Sequence, residues 1–284
     1  MTLWGRRNPT DYVRRLLAGA PPPGPPRPVR AIGHRGSPRD HAENTVTSFA
    51  HAVSLGADGI ETDVSLTRDG VWVLWHDNQP ESFVSRARGV GEDYPWEPVW
   101  REERRPIWEM TLAEMRRACG YSHDVSFELL DDLWRWAAGE SRLGHVYLDI
   151  KLEPAQADAA PRLLDAVVAA GWSGQLHLLL PQRELLPPLA ARERPPNLHL
   201  VPDFELPGAA RVAPRRVSMG ITRRRTWRDF RRELVQVTAR RDAGTIEDVT
   251  VWTANDEDKL RFLVAARVDA ILTDDVPLLR RLRG

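Results

Sequence analysis

The sequence contains a single cysteine, Cys119, and no long apolar run. One cysteine cannot form an intramolecular disulfide, so nothing in the composition indicates an oxidising compartment, and we expect a cytoplasmic protein. Nowhere do about 18 uncharged apolar residues follow one another, so we predict no membrane-spanning helix. Charged residues interrupt the only apolar stretch before residue 29, and a proline tract ends it, which is not the pattern of a signal peptide.

The chain also lacks an excess of either charge, because 40 lysine and arginine residues balance 40 aspartate and glutamate residues. A neutral chain has no long-range attraction for nucleic acid or for an anionic membrane, so we expect no nucleic-acid partner, and any electrostatic specificity must be local. What the chain does have is length and apolar content. Its 284 residues, 42% of them hydrophobic, suffice for one large domain or two small ones.

Two regions are predicted. Residues 1–28 form an N-terminal extension, with a short helix at 11–18 and an extended proline-rich spacer at 20–28. Residues 29–284 form the main domain, in which runs of valine, isoleucine and leucine alternate with helical patterns, as in βα units that build a parallel sheet. Helices are predicted at 45–55, 155–170, 182–192, 227–241 and 257–266. Nine strands are predicted, one more than a closed eight-stranded barrel needs, at 29–34, 58–64, 71–76, 145–150, 175–180, 197–202, 217–221, 248–253 and 268–273.

Residues 78–142 interrupt the alternation, and we interpret them as a tryptophan-rich cap inserted between the third and fourth strands. Just before this insertion, Asp69-Gly70 is a hairpin signal between the second and third strands. We nevertheless predict a parallel third strand, because a hairpin would place Asp63 and His76 at opposite ends. The segment 65–70, fully extended, spans roughly 20 Å and can return along one strand.

Polar residues gather where predicted strands end. Side chains at i and i+2 of a strand share a face, so Glu61 and Asp63 project their carboxylates together. An isolated pair of this kind is usually a solvated strand end. In a parallel barrel, however, the strand ends meet on one rim around a shared cleft. The residues predicted to share this cleft are His34, Arg35, Glu61, Asp63, His76, Asp149 and Lys151.

Each residue type in this set has a chemical task. The three acids suit a hard divalent cation such as magnesium, calcium or manganese. The two histidines can serve as general acid and general base. Arg35 and Lys151 can bind a negatively charged group, so the set describes phosphoryl transfer better than acyl or hydride transfer. The other histidines do not accompany polar residues at the ends of predicted strands, and they are expected to be structural or exposed. They are His41, His51, His123, His145, His177 and His199.

The sequence resembles the glycerophosphodiester phosphodiesterase family through five segments in order: GHRGSPRDHAENT, GIETDVSLTRDGVWVLWHD, YLDIK, VWTAND and VDAILTDDVP. The resemblance covers about residues 29–277 and implies an α/β fold of the (βα)8 TIM-barrel type. It also implies roles for single residues. These are His34 and His76 as the acid/base pair, Glu61, Asp63 and Asp149 as ligands of one divalent cation, Arg35 and Lys151 at the phosphate, Trp252 as an aromatic wall, and Glu43, Asn44 and Asp77 as supporting residues.

The implied reaction begins when one histidine removes a proton from the glycerol 2-hydroxyl, whose oxygen attacks phosphorus while the other histidine protonates the leaving alcohol. Water then opens the cyclic phosphate to give glycerol phosphate. The substrate would be a small-molecule or lysolipid phosphodiester. The sequence leaves open the alcohol, the metal, the initial base and the oligomeric state.

Two departures from the family pattern keep alternatives open. The family usually has glutamate where this chain has Asp149, and aspartate there resembles a related sphingomyelinase D or lysophospholipase D-like branch. His41-Ala42 replaces the usual alanine-proline, which should loosen that loop because the fixed φ of proline is lost.

A less favoured alternative is a non-catalytic barrel that binds a phosphorylated ligand. The arginines at 223–225 are either a solvated loop or an element that attracts anionic head groups or lipid surfaces toward the cleft.

Overall fold

The computed structural model describes residues 28–78, 95–101, 105–203, 216–221 and 226–284. The predicted helix at 11–18, most of the spacer and the arginines at 223–225 lie outside these residues. Within them, the strands are β1 Arg30–Gly33, β2 Gly59–Leu66, β3 Trp72–Leu74, β4 Pro98–Trp100, β5 Cys119–Tyr121, β6 Glu128–Leu129, β7 His145–Ile150, β8 Gln175–Leu180, β9 Leu198–Pro202, β10 Arg216–Gly220, β11 Asp248–Trp252 and β12 Ala270–Thr273. The α-helices are α1 Val46–Ser54, α2 Leu112–Ala118, α3 Leu130–Ala137, α4 Ala160–Ala169, α5 Leu186–Ala190, α6 Trp227–Asp242, α7 Glu257–Ala265 and α8 Val276–Arg283.

Eight parallel strands of the described chain form the barrel, in the order β10-β11-β12-β1-β2-β7-β8-β9. A parallel bridge between Asp203 and Ser218 joins the two ends of this sheet. Helices that follow the strands cover its outer face and bury apolar side chains against it, as the alternating pattern predicts. The predicted TIM barrel is confirmed, and of the nine predicted strands only the third lies outside the ring.

The third strand corrects the sequence prediction, because β3 runs antiparallel to β2, with Val64 opposite Leu74. The Asp69-Gly70 turn therefore forms the hairpin that its residues favour, with Gly70 at φ 84°. The expected separation of Asp63 and His76 was wrong for a geometric reason. Strand β2 continues beyond Asp63 to Leu66 before the chain turns. The returning strand β3 therefore ends opposite Val64, and the residues that follow it, Trp75 and His76, lie beside Asp63. The Trp75 N–H donates to the Asp63 carbonyl at 3.1 Å.

The described residues of the predicted insertion pack in two groups. Helix α3 buries Leu133 and Trp134 in the same apolar cluster as α1, on the outer face of the barrel. The segment before α3 builds a separate cluster on β3, in which Trp75 packs against Tyr121 with ring centroids 5.1 Å apart. The described part of the insertion before α3 is therefore anchored on the hairpin that carries His76.

The barrel interior has three layers. Apolar side chains fill its middle, where Ile32, Leu179 and Leu272 are buried together. Because side chains alternate along a strand, the residues two positions further on point to the C-terminal rim, and those two positions back point to the N-terminal end. The middle layer thus separates two polar regions of the barrel. No helix in the described ranges is long and apolar enough to span a membrane.

Candidate active site

The loop between β1 and α1 begins where β1 ends at the C-terminal rim. The His34 N–H continues the parallel ladder by donating to the Thr273 carbonyl at 3.0 Å. The chain then turns sharply, with Arg35 at φ 52° and Gly36 at φ 89°. A side chain at Gly36 would lie 2.4 Å from the Ser48 hydroxyl oxygen, so only glycine fits against α1. This turn holds the His34 and Arg35 side chains over the barrel opening.

Asn44 and Glu43, which were predicted as supporting residues, hydrogen-bond to other side chains of the site. Asn44 is fully buried at φ 57°, donates from Nδ2 to Asp63 Oδ2 at 2.9 Å, and accepts at Oδ1 from the Thr62 hydroxyl at 2.8 Å. Glu43 accepts from Arg35 Nη1 at 2.9 Å. The two residues therefore fasten this loop to β2 and orient the guanidinium of Arg35.

His34 is oriented by a residue to which the sequence analysis assigned no role. Its Nδ1 lies 2.7 Å from Asp274 Oδ1, and Asn255 Nδ2 donates to the other oxygen of Asp274. Because a carboxylate only accepts, Nδ1 carries the proton and Nε2, 4.0 Å from Glu61 Oε2, faces the site. Burial lowers the pKa of His34, but Asp274 and Glu61 outweigh it, so the pKa is raised above its ordinary value. Asn255 lies in the VWTAND segment and Asp274 in the VDAILTDDVP segment, both of which resemble the family. This resemblance was the only feature of the sequence that pointed to either residue.

His76 has a partner of the same kind. Its Nδ1 lies 2.8 Å from Oδ1 of the buried Asp77, so its Nε2 is also the free ring nitrogen. Here burial and the positive charge of Arg35 lower the pKa of the imidazole below its ordinary value, despite the nearby Asp63. Each histidine is therefore oriented by a carboxylate at its Nδ1, but the pKa of His34 is raised and that of His76 is lowered.

The three predicted metal ligands come together. Glu61, Asp63 and Asp149 each offer an oxygen atom within 4.8 Å of the others, and Asp63 lies opposite Asp149 in the parallel ladder. Burial and the neighbouring charges of Asp63 and Asp149 raise the pKa of Glu61 to about 8. The carboxylates of the buried Glu61 and Asp63 and the half-buried Asp149 repel one another at this spacing, and an all-oxygen set of this kind fits a hard divalent cation.

Arg35 and Lys151 both approach the carboxylate of Asp63. The Arg35 Nε lies 3.0 Å from Oδ2, and the Lys151 Nζ lies 3.1 Å from Oδ1 and 2.5 Å from Asp149 Oδ2. Although burial alone would raise it, the pKa of Asp63 is held well below its usual range by these two cations. Asp63 is thus ionised and fixed, with the two predicted phosphate-binding groups on either side of its carboxylate.

The remaining predicted residue, Trp252, ends β11 on the same rim and packs against the apolar middle layer. All the residues predicted to share the cleft, together with Glu43, Asn44 and Asp77, therefore gather at the C-terminal end of the barrel. Their individual chemical roles stay predictions. Two oriented imidazoles, a carboxylate cluster and two cations in one cleft can move protons at an anionic centre and neutralise its charge.

The fold and this cleft define a TIM-barrel protein with its polar site at the C-terminal rim. The model of the glycerophosphoryl diester phosphodiesterase family matches residues 34–176, which is half of the chain. The chain belongs to this family. A glycerophosphodiester phosphodiesterase from Bacillus altitudinis is 26% identical over 169 residues, covering 55% of this chain and 65% of the relative, less than two thirds of its length.

Two solved structures are similar in fold. A glycerophosphodiester phosphodiesterase from Parabacteroides distasonis superimposes with a TM-score of 0.68 at 17% identity, covering 91% of this chain and 98% of its own. A phosphodiesterase from Oleispira antarctica, in complex with the product sn-glycerol-3-phosphate, superimposes with a TM-score of 0.64 at 17% identity, covering 94% of this chain and 98% of its own. These similarities extend over nearly the whole barrel.

Proposed function

We propose that this protein hydrolyses glycerophosphodiesters to glycerol phosphate and an alcohol, using one divalent cation, two histidines and a cyclic phosphate intermediate. The observation that carries the proposal is the arrangement of His34 and His76. Each imidazole is oriented by its own carboxylate and lies beside the cluster of three acids. Family membership and the product bound to the Oleispira relative support the same class of substrate.

Glu61, Asp63 and Asp149 would hold the divalent cation. The fit rests on the donor set, because the acids supply only oxygen, and the pKa of Glu61 is raised by burial and by repulsion from Asp63, both of which a cation would offset. When bound, such an ion supplies charge stabilisation at the phosphate and lowers the pKa of a nearby hydroxyl. Magnesium, calcium and manganese all suit these ligands.

His76 and His34 divide the proton transfers. The lowered pKa of His76 favours the neutral ring, so His76 begins as the base and removes the proton of the glycerol 2-hydroxyl. The hydroxyl oxygen bonds to phosphorus as the bond to the alcohol oxygen breaks. The raised pKa of His34 favours the protonated ring, which donates its proton to that departing oxygen. Water then opens the cyclic phosphate, with the two histidines exchanging roles.

Arg35 and Lys151 bind the phosphate. Both already lie beside the carboxylates, and their side chains are largely buried. A phosphate would lie between these two side chains and a bound cation. The positive charges of Arg35 and Lys151 would then interact with the phosphate as well as with the carboxylates of Asp63 and Asp149. Guanidinium and ammonium donors strengthen as negative charge moves onto the phosphate oxygens, which stabilises the transition state. Trp252 would bound the cleft on the side of β11.

A panel of glycerophosphodiesters, each assayed with magnesium, calcium and manganese, tests the function and identifies the alcohol. Phosphorus NMR of the reaction should show a transient cyclic phosphate followed by glycerol phosphate. Asp149, in place of glutamate, favours the sphingomyelinase D or lysophospholipase D-like alternative, for which ceramide phosphate or a cyclic lipid phosphate would accumulate instead. Metal and phosphate binding without turnover of any diester would indicate the non-catalytic alternative.

The barrel at 29–284 would be the catalytic unit, with the insertion at 78–142 as its cap, and a truncation that removes residues 1–28 would keep full activity. A cytoplasmic location is the default for a chain whose one cysteine cannot form an intramolecular disulfide. Fractionation of cells that express the protein tests this location directly.

A further inference from the structure

Asn78, which follows the His76-Asp77 pair, contacts three separate parts of the structure. Its Oδ1 accepts from the Ser65 hydroxyl on β2 at 2.6 Å. Its Nδ2 donates to the backbone carbonyl of Lys151, just beyond β7. Its own carbonyl accepts from the Ile107 N–H of the insertion at 2.9 Å. The carboxamide of Asn78 thereby links the hairpin to the end of β7, while its backbone carbonyl holds the insertion.

The contact with Lys151 completes the fixation of that residue's backbone. The Lys151 N–H donates to the Val64 carbonyl at 2.9 Å, which extends the β2–β7 ladder by one bond. Its carbonyl lies past the end of β7 and is held by Asn78 instead. Because both peptide groups are held, the starting point of the long Lys151 side chain is fixed and its ammonium reaches Asp149.

The residue type matters for this task. A carboxamide accepts with its oxygen and donates with its nitrogen, so it can bond the Ser65 hydroxyl and the Lys151 carbonyl together. An aspartate at the same position would keep the bond from Ser65 but has no donor for a carbonyl. An alanine would lose both bonds.

We propose that Asn78 is a positioning residue that acts through Lys151 by placing its ammonium for phosphate binding. The inference rests on the proposed function, in which Lys151 contacts the phosphate. Asn78 itself does not touch the reacting atoms. Its removal should therefore matter only while the Lys151 ammonium is present.

A double-mutant cycle tests this dependence. Asn78→Ala and Asn78→Asp are each made in the unsubstituted protein and with Lys151→Met, which keeps most of the side chain but removes the charge. We expect either change at Asn78 alone to lower kcat/KM about 10-fold, mainly through KM, and to lower it less than about 2-fold beside Lys151→Met. Equal losses in both backgrounds would assign Asn78 a general structural role and overturn the proposal.

Asn197→Ala is the matched control. Asn197 also donates from Nδ2 to backbone carbonyls, those of Trp172 and Gly174, but it precedes β9 at the opposite end of the barrel. Its substitution should shift the thermal unfolding midpoint as much as Asn78→Ala does while leaving KM unchanged. A rise in KM equal to that of Asn78→Ala would overturn the specific role of Asn78.

A binding measurement separates this inference from the proposed function. The affinity for glycerol 3-phosphate, measured by titration calorimetry, should fall on Asn78→Ala only when Lys151 is present. If no diester is turned over and this pattern persists, the proposed reaction fails and the positioning role stands. If Lys151→Met changes neither affinity nor kcat/KM, the role of Asn78 fails with that of Lys151.

Discussion

Acidification should destabilise this protein through a histidine cluster at the N-terminal end of the barrel. The cluster comprises His145, His177 and His199, on three adjacent strands. His145 Nδ1 lies 3.1 Å from His177 Nε2, and the rings of His177 and His199 lie 5.2 Å apart. The other charged groups that act on these rings are Arg30, Arg216, Asp58, Asp248 and Glu247.

The three rings are uncharged in the folded protein. Burial, followed by the charge of Arg30, lowers the pKa of His145 to about 4, and burial with Arg216 lowers that of His199 to about 4. Burial and Arg30 also place the pKa of His177 well below its usual range. In the unfolded chain, each imidazole titrates near its ordinary value of about 6.5. Protonation of the cluster would bring positive rings together beside two arginines.

The direction in which the free energy of unfolding changes with pH follows from the number of protons bound to each state. Between pH 6.5 and about 4 the unfolded chain holds more protons than the folded protein, so stability is present above pH 6.5 and is lost as the pH falls toward 4. At pH 5 this linkage removes about 2 kcal/mol through His145. His199 is partly exposed, so solvent screening reduces its contribution to about 1 kcal/mol. Together they lower the free energy of unfolding by about 3 kcal/mol, a large part of a typical total.

Urea unfolding at pH 7.5, 6 and 5 measures this change. In a His145→Gln, His199→Gln variant, the loss of unfolding free energy between pH 7.5 and 5 should be smaller by about 3 kcal/mol than in the unsubstituted protein. His123→Gln, which removes an exposed histidine outside the cluster, should retain the full loss. An equal pH dependence in the double variant and the unsubstituted protein would refute the linkage argument. Carboxylates elsewhere would then account for acid sensitivity.

Further predictions concern catalysis. Replacing His34 or His76 by alanine should lower kcat by about 10²- to 10⁴-fold with circular dichroism unchanged, and activity retained in both variants would contradict the acid/base pair. With an aryl glycerophosphodiester, whose leaving group needs no proton, the His34→Ala variant should recover most of its rate and His76→Ala should not; the reverse pattern would exchange their roles. Exhaustive chelation should abolish turnover, and Asp149→Glu should change the metal preference, whereas an unaltered rate and preference would remove Asp149 from the ligand set. Glutamine at all three positions of 223–225 should weaken the salt dependence of kcat/KM, which an unchanged salt series would disprove.

The sequence alone determined the barrel and which of the predicted polar residues gather at its C-terminal rim. Apolar runs alternating with helical patterns predict parallel strands, and the period of two along a strand puts Glu61 beside Asp63 and Asp149 beside Lys151. These are local properties, because they depend on residues a few positions apart. The shared rim of a parallel barrel then predicts that the strand ends meet.

Only the tertiary structure decided which groups orient and hold these residues. Asp274 reaches His34 across 240 positions of the sequence, and Asn78 reaches Lys151 across 73. The hairpin register that returns His76 beside Asp63 depends on how far β2 continues before it turns. The histidine cluster likewise arises only when three strands pair in register. Such contacts depend on the closure and register of the barrel, because these bring together side chains that share no local pattern.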